Sequence, residues 1–585
     1  MIQERLALLR RAMAEKGLDA YLIPQADYHG SEYVGDHFKI RAFFSGFTGS
    51  AGTLAATAKK AGLWTDSRYF LQAEAELAGT GIDLYRMGQE GVPTLDAFLK
   101  AELPPEGTLG ADGRMVSAAR GLELEKKLPG RTLAFSEDLA GLLWTDRPPL
   151  PKAPVFILEE RYAGKSAREK LAQLREQMGE AEVHLLTALD QIAWLLNIRG
   201  GDVQCNPVPL AYGLVERERM LLFIDREKLS PAVMDYLTGL QVEVRPYEAI
   251  GEALDGCAGK RVLLSTKEVN YALYSRLAGC AEIVDKDSPV LHAKAVKDPV
   301  EQENLRRAHV KDGVALAKLL YQLKTGRGPQ TETAVAAEID ALRREQEGCI
   351  GPSFTTIAGY GPHAAIVHYH ATEDSSIPLE RKGLLLLDSG GQYYEGTTDV
   401  TRTIALGPVT AEEKKHFTLV LQGMLDLSAA VFPKGCCGFH LDALARSPLW
   451  RQGLDFGHGT GHGIGYMLCV HEPPIGFSFR RTARYDTERL LPGMVISDEP
   501  GVYIEGSHGV RIENQLLCRE SDMPGFFCFE TLTLVPIDRD AIDLKWLDAA
   551  GRERLDAYHQ RVYAAIAPHL TEDERRWLKE ATRPL

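Results

Sequence analysis

Four carboxylates and one imidazole stand at spacings that suit metal chemistry. Asp388 ends the apolar run LLLLD, and Asp399 follows eleven residues later in TTDVTRT. Glu499 lies in MVISDEPG, and Glu513 follows fourteen residues later in GVRIENQLL. Each pair reads as a strand, a glycine-bearing turn and a returning strand that brings the second acid near the first. Like charges on neighbouring strand positions repel, since their Cβ atoms sit about 5 Å apart. Something positive is therefore expected between them.

The imidazole comes from FGHGTGHGI, 456–464, where glycine occupies every second position from Gly457 to Gly465. Such a pattern allows other groups close to the backbone. In an extended conformation His458, Thr460 and His462 share one face. Four residues of strand span roughly 13 Å, so only one of the two imidazoles serves a single ion. His462 is assigned as that ligand and His458 is left to face substrate. The zinc pair HExxH is excluded, because no Glu follows His458 and the glycines disfavour a helix. Four carboxylates with one imidazole suit two divalent cations about 3.5 to 4 Å apart that share a bridging hydroxide. An oxygen-rich set favours Mn(II) first, then Zn(II) or Co(II).

The elements that position these residues follow from periodicity and punctuation. From Met1 to about Asp146, helix alternates with strand: a helix at 6–13, a strand at 19–24, and a hairpin from 52–58 and 61–67. GFTGSAG and TDSRYF carry no GK[ST] and no GxGxxG, so they read as tight turns and not as a phosphate loop. RPPLPKAP, 147–154, reads as a semi-rigid linker. A second segment, about 155–290, repeats the element order with helices at 166–178 and 189–197, a strand at 182–188, and paired strands at 211–216 and 220–225. The loop from Asn197 to Leu210, with Asp202 and Asn206, reads as a polar surface turn, the alternative being a cleft wall. Asp298, Pro299 and Glu301 form a capping signature that opens a long scaffold helix. The third segment, 297–585, mixes helices with long returning strands and ends in a helical tail, where Thr571 and Glu574 make another capping box ahead of Trp577.

Taken in order, HYH at 368–370, DSG at 388–390, TTDVTRT, HGTGHGIG, VHEPP, DEPG and RIEN resemble the pita-bread metallopeptidases, the group of creatinase, prolidase and methionine aminopeptidase. Within them, GFTGSAG, TDSRYFLQA and the RRAHVKDGVAL helix are similar to the three-domain aminopeptidase P branch, so the resemblance covers nearly the whole chain. It implies an α+β fold with a C-terminal pita-bread catalytic domain after two α/β creatinase-N-terminal-like domains. It also implies a metal-dependent exopeptidase that releases the first residue when proline is second. Asp388, Asp399, His462, Glu499 and Glu513 are the implied metal ligands, with Glu499 also taking the proton of the attacking water. His368 and His471 are implied to steady the tetrahedral intermediate or pass a proton to the leaving nitrogen, and together with His458 to bind substrate. A homodimer is expected, with Arg68 within reach of a neighbouring subunit's site.

The alternatives are a prolidase acting on Xaa-Pro dipeptides, a creatinase-like hydrolase without metal, which the intact ligand set opposes, and a catalytically silent metal-containing peptide-binding protein. His416 and His440 read as surface or core histidines, Asp498 as a turn or capping group, and His370 and His508 stay open. Arg511, on the strand face of Glu513, is expected to orient that carboxylate. The stretch FSFRRTARYDTE reads as an insertion at the cleft rim.

Composition is that of a globular protein, 45% hydrophobic and 25% charged. A formal net charge of -14 opposes a nucleic-acid partner. The opening MIQERLALLRRAMAEKG is an amphipathic helix pattern and no run reaches the roughly 20 apolar residues of a membrane span. Nine cysteines without a CxxC spacing fit reduced, mostly buried thiols. A cytoplasmic protein is expected.

Overall fold

In a computed structural model the chain forms two compact units, Met1–Glu160 with Lys165–Leu291, and Arg161–Gly164 with His292–Leu585. Residues 1–136, 138–479 and 488–585 are described.

The first unit holds two six-stranded sheets with one pattern. The strands run in the order Asp83–Arg86, Ala61–Thr65, Thr53–Thr57, Ala20–Pro24, Thr108–Ala111, Thr132–Ala134 in one sheet. In the other they run Val242–Arg245, Met220–Phe223, Tyr212–Glu216, Val183–Leu186, Arg261–Leu264, Glu282–Asp285. Successive neighbours pair parallel, antiparallel, antiparallel, parallel and parallel in both sheets. The repeated element order legible in the sequence is thus a repeated sheet. Arg68 is held by its own turn, both guanidinium arms lying 2.8 Å from Asp66. The loop 197–210 is not a surface turn. Asp202 is buried, and its Oδ2 accepts from Lys228 Nζ at 2.6 Å and from the Leu210 amide at 2.7 Å. A polar loop was read as solvated, whereas its acid has a buried lysine to neutralise it.

The second unit is built on helix α1 (Pro299–Thr325), which starts with the expected capping box of Asp298 and Glu301, and on α2 (Glu332–Arg344). Leu316, Leu319 and Leu323 of α1 meet Val335, Ile339 and Leu342 of α2. Strands β1 (Ile357–Tyr360), β2 (Leu384–Ser389) and β3 (Val400–Ala405) form an antiparallel sheet in that order. Leu385 and Leu387 of β2 face those helices, each contributing about 2 kcal/mol by leaving water. Leu386 and Asp388 share the other face. This run is buried on both sides, which is why it reads as unbroken leucine.

Helices α3 (Ala411–Ser428) and α4 (Gly438–Trp450) follow, then β4 (Gly461–Gly463), β5 (Glu472–Phe477), β6 (Val495–Asp498), β7 (Gly501–Ile504), β8 (His508–Arg511), β9 (Asn514–Glu520) and β10 (Phe526–Thr531). The second sheet runs Val431–Pro433, β10, β9, β6, β4, β5. Helices α5 (Ala549–Ile566) and α6 (Glu572–Ala581) close the unit, α6 behind the expected Thr571–Glu574 box, with the Trp577 ring 6.1 Å from Tyr321.

The two sheets use one device. Asp388 and Asp399 sit where β2 and β3 pair, with a small antiparallel ladder, Gln392 to Thr397, between them. Glu499 and Glu513 sit where β6 and β9 pair, with the β7–β8 hairpin between them. Both acid pairs are therefore returning strands, but each turn is a whole hairpin.

Candidate metal centre

The glycine-rich segment is strand only at β4. A Cβ at Gly461 would collide with the Ser497 carbonyl and one at Gly463 with the Glu472 carbonyl, so glycine lets β4 lie between its neighbours. Upstream, buried Arg446 takes the Phe456 carbonyl at 2.8 Å and the His458 carbonyl at 2.7 Å. Those contacts bend the chain out of the extended form, so His458 and His462 do not share a strand.

His462 is 14% exposed. Its Nδ1 lies 2.9 Å from the Gly463 carbonyl, an acceptor, so Nδ1 carries the proton and Nε2 turns to the acids. Nε2 is 3.4 Å from Asp399 Oδ2 and 3.5 Å from Glu499 Oε1. Ligand atoms of Asp399, His462 and Glu513 all lie within 4.8 Å of one another. Glu513 is buried; its amide bonds the Thr401 carbonyl at 3.1 Å and its Oε2 accepts from Thr401 Oγ1 at 2.8 Å. Glu499 Oε1 accepts from Ser497 Oγ at 3.2 Å. Asp388 Oδ2 accepts from Arg511 Nη2 at 2.6 Å.

Arg511 thus grips Asp388 directly and reaches Glu513 only through Thr401 Oγ1, 3.3 Å from its Nε. The sequence assigned it to Glu513 because both lie on one strand face; the guanidinium reaches across to β2 instead. Asp498 is no turn residue. It is buried on β6 with neither carboxylate oxygen partnered, and burial, then the nearby Glu499 and Asp426, push it well above the carboxylate range.

Electrostatics mark the same cluster. Burial pushes Glu499 up to about 7, against the opposing pull of His462. Burial also raises Glu513, reinforced by Asp399, Glu499 and Asp388. For His462, burial alone would lower the imidazole, but Asp399 and Glu499 outweigh it and hold it at about 9. Asp388 Oδ1 and Glu513 Oε1 are buried without a partner. Four carboxylates with two oxygens unpartnered among the described residues, facing the cationic Arg511 and His462, fit divalent cations in hard-oxygen and imidazole coordination.

The other predicted histidines surround this cluster unequally. The His471 ring stands edge-on to His462, centroids 4.3 Å apart. His458 Nε2 lies 2.8 Å from Tyr503 Oη. His368 is half-buried, and the carbonyl of the preceding Val367 accepts from Arg511 at 3.3 Å. His370 is exposed. His416 and His508 pair with each other, Nδ1 to Nε2 at 2.9 Å, and His440 Nδ1 caps the Cys437 amide at 3.1 Å; neither contact involves the cluster. Most of FSFRRTARYDTE, 480–487, lies outside the described residues.

Sequence reasoning missed Tyr503, Thr401, Ser497, Asp442 and Arg446. Thr401 carried a signal, standing two residues beyond Asp399 on the same strand face. Tyr503 and Arg511 each oppose a glycine across the β7–β8 ladder, Gly509 and Gly501, which leaves room for large side chains to meet.

A mixed helix-and-sheet unit around such a cluster, following two repeated α/β sheets in the chain, defines a metallopeptidase of the creatinase and prolidase kind. The chain matches Metallopeptidase family M24 over 303–520 and the C-terminal region of that peptidase group over 525–585. The Creatinase/Prolidase N-terminal domain is matched twice, over 5–144 and 146–301. It is 40% identical to a probable Xaa-Pro aminopeptidase P of Sordaria macrospora, over 99% of both chains. It is 38% identical to aminopeptidase P2 of Arabidopsis thaliana, over 100% of this chain and 89% of that one. Its structure matches an X-prolyl aminopeptidase from Caenorhabditis elegans, described as a cytosolic enzyme with a di-nuclear active site, with TM-score 0.94 and 35% identity over 100% of both chains. The chain belongs to the Xaa-Pro aminopeptidase P family of M24 metallopeptidases. Among the described residues, no helix is long and apolar enough to cross a membrane.

Proposed function

We propose that this protein is a dinuclear-metal aminopeptidase that releases the first residue of peptides whose second residue is proline. The observation that carries the reading is the meeting of Asp399, His462 and Glu513 within 4.8 Å, with Glu499 beside His462 Nε2. The names of the relatives and the di-nuclear site of the nematode enzyme support it. Asp388, Asp399, His462, Glu499 and Glu513 are the proposed ligands, and Mn(II) is the first expected ion. When bound, two such ions render water nucleophilic near neutral pH and polarise the scissile carbonyl.

The chain's own residues do the rest. Glu499, steadied by Ser497 Oγ beside His462 Nε2, accepts the proton released by the attacking water. His471, edge-on to His462, and His368 steady charge developing on the carbonyl oxygen or pass a proton to the leaving nitrogen. His458 binds substrate, its orientation fixed by Tyr503. A bond before proline is a tertiary amide without N–H, so recognition rests on groups such as these and not on a backbone donor.

The reading includes three domains, 1–146, 155–290 and 297–585, supported by the repeated sheet pattern and the limits of the matched families. It also includes a cytoplasmic homodimer. The test couples metal analysis to turnover of an Xaa-Pro-Yaa tripeptide and an Xaa-Pro dipeptide. Release of the first residue from the tripeptide, dependent on about two ions per chain, is expected. Turnover of the dipeptide alone would make the protein a prolidase, and metal-replete protein that binds but cleaves neither would make it a binding protein.

A further inference from the structure

His368 lies in a stretch, 361–377, that runs outside the sheets. One carboxylate outside the stretch gathers it. Glu332, in the first turn of α2, is 0% exposed. Its Oε1 accepts from the Tyr360 amide at 2.7 Å and from His363 Nδ1 at 2.9 Å. Its Oε2 accepts from Tyr369 Oη at 2.9 Å and from the Ile377 amide at 3.1 Å. Two of these donors precede His368 and two follow it. A single buried side chain thus gathers the loop from both sides.

We infer that Glu332 is the positioning residue for His368, an assignment that rests on His368 facing the substrate. The carboxylate is suited to this by chemistry. Ionised, it is acceptor-only, so all four donors find a lone pair, and hydrogen bonds to a charged acceptor are about twice as strong as neutral ones. Its base is rigid, because α2 packs through Val335, Ile339 and Leu342. The opposite side of the loop is fixed too, through Val367 O on Arg511 Nη2, which also holds Asp388. The backbone at His368 therefore runs between a clamp on the cluster at Val367 and a clamp on α2 at Tyr369. A glutamine at 332 would present an NH2 to two of the four donors and release one side of the loop.

The experiment is a double-mutant cycle of Glu332→Gln with His368→Ala, assayed on a proline-second tripeptide with metal content measured for every variant. Glu332→Gln alone is expected to lower kcat roughly ten- to hundredfold with the metal content of the parent. In the His368→Ala background the same change should cost less than about twofold. A merely structural role would lower activity equally in both backgrounds, which overturns the inference, as does a His368→Ala variant with parental kcat. Tyr369→Phe removes one donor and serves if Glu332→Gln does not fold: a drop of about threefold is expected that vanishes beside His368→Ala, and an equal drop in both backgrounds overturns the inference. An unmutated, metal-loaded chain that cleaves no proline peptide would instead sink the proposed function.

Discussion

His458 Nε2 accepts a hydrogen bond from Tyr503 Oη across 2.8 Å. The direction follows from His458 Nδ1, which faces the Gly459 carbonyl at 2.7 Å and so carries the ring proton. Tyr503 Oη in turn accepts from Arg511 Nη1 at 2.7 Å, and Arg511 Nη2 holds Asp388. One chain of donors therefore links the proposed substrate-binding imidazole to a proposed ligand. Tyr503→Phe leaves Arg511 Nη2 on Asp388 and cuts the hydroxyl's links to His458 and to Arg511 Nη1. We expect kcat/KM to fall about tenfold with metal content unchanged, a loss near the worth of one charge-linked hydrogen bond. Steady-state kinetics beside metal analysis checks this, and parental kcat/KM would leave the link without a role.

Removing a cluster ligand should act on metal and turnover together. Asp399→Ala or His462→Ala is expected to abolish nearly all activity and to lose one ion per chain, since each side chain faces at least two others of the set. Elemental analysis of the purified variants with a tripeptide assay reads both. Unchanged turnover rules the assignment out.

Metal binding should also release protons, with a pH dependence to which His462, Glu499 and Glu513, all raised, contribute. In the metal-free chain His462 titrates near 9 and Glu499 near 7, both above their ordinary values. A cation needs the imidazole neutral at Nε2 and the carboxylate ionised, so it competes with those protons. Below about 9 the His462 proton must leave, and below about 7 that of Glu499 must leave as well. Affinity therefore weakens as pH falls through each value. Calorimetric titration with Mn(II) in buffers of different ionisation heat should show proton release that grows as the pH is lowered from 8 to 6. His462→Ala should reduce the release at pH 8, and a titration without proton release would contradict the cluster's electrostatics.

What the sequence made legible were local signals that packing later reinforced. The capping boxes at Asp298 and Thr571 begin helices where expected. The two acid pairs lie on returning strands, and the two-residue strand period places Asp388 of LLLLD on the face of Leu386. What escaped were contacts between residues distant in the chain. Arg511 looks like a partner of Glu513 from strand parity, yet the Asp388 it grips lies 123 positions away. The glycine alternation suggested one extended strand across both histidines, but Arg446 on α4 draws the carbonyls of Phe456 and His458 out of line. Asp202 looked solvated because nothing nearby in sequence announces Lys228 as its partner. Periodicity reports which face a residue occupies; it does not report which element lies opposite.

The same α4 arginine gives the sharpest stability prediction. Arg446 and Asp442 are both 0% exposed and joined at 2.7 Å. Asp442 also accepts from Thr460 Oγ1 at 2.6 Å, and the Arg446 guanidinium lies 3.7 Å over the Phe456 ring. The pair therefore fixes the segment entering β4 at Phe456, His458 and Thr460, all within six residues of His462. Arg446→Met leaves a buried carboxylate without its partner and two carbonyls without donors, which should cost about 3 to 5 kcal/mol. Asp442→Asn keeps an acceptor for Thr460 but turns an NH2 towards Arg446 Nε, whose guanidinium retains Asp455 and the two carbonyls, so its cost should be smaller. Guanidinium unfolding with an unchanged slope and a lowered midpoint for Arg446→Met measures the first claim. Because the anchor acts on the path of the His458 backbone, a raised KM should accompany it in whatever fraction stays folded. Parental stability in Arg446→Met would mean that the loop is held by its glycine packing alone.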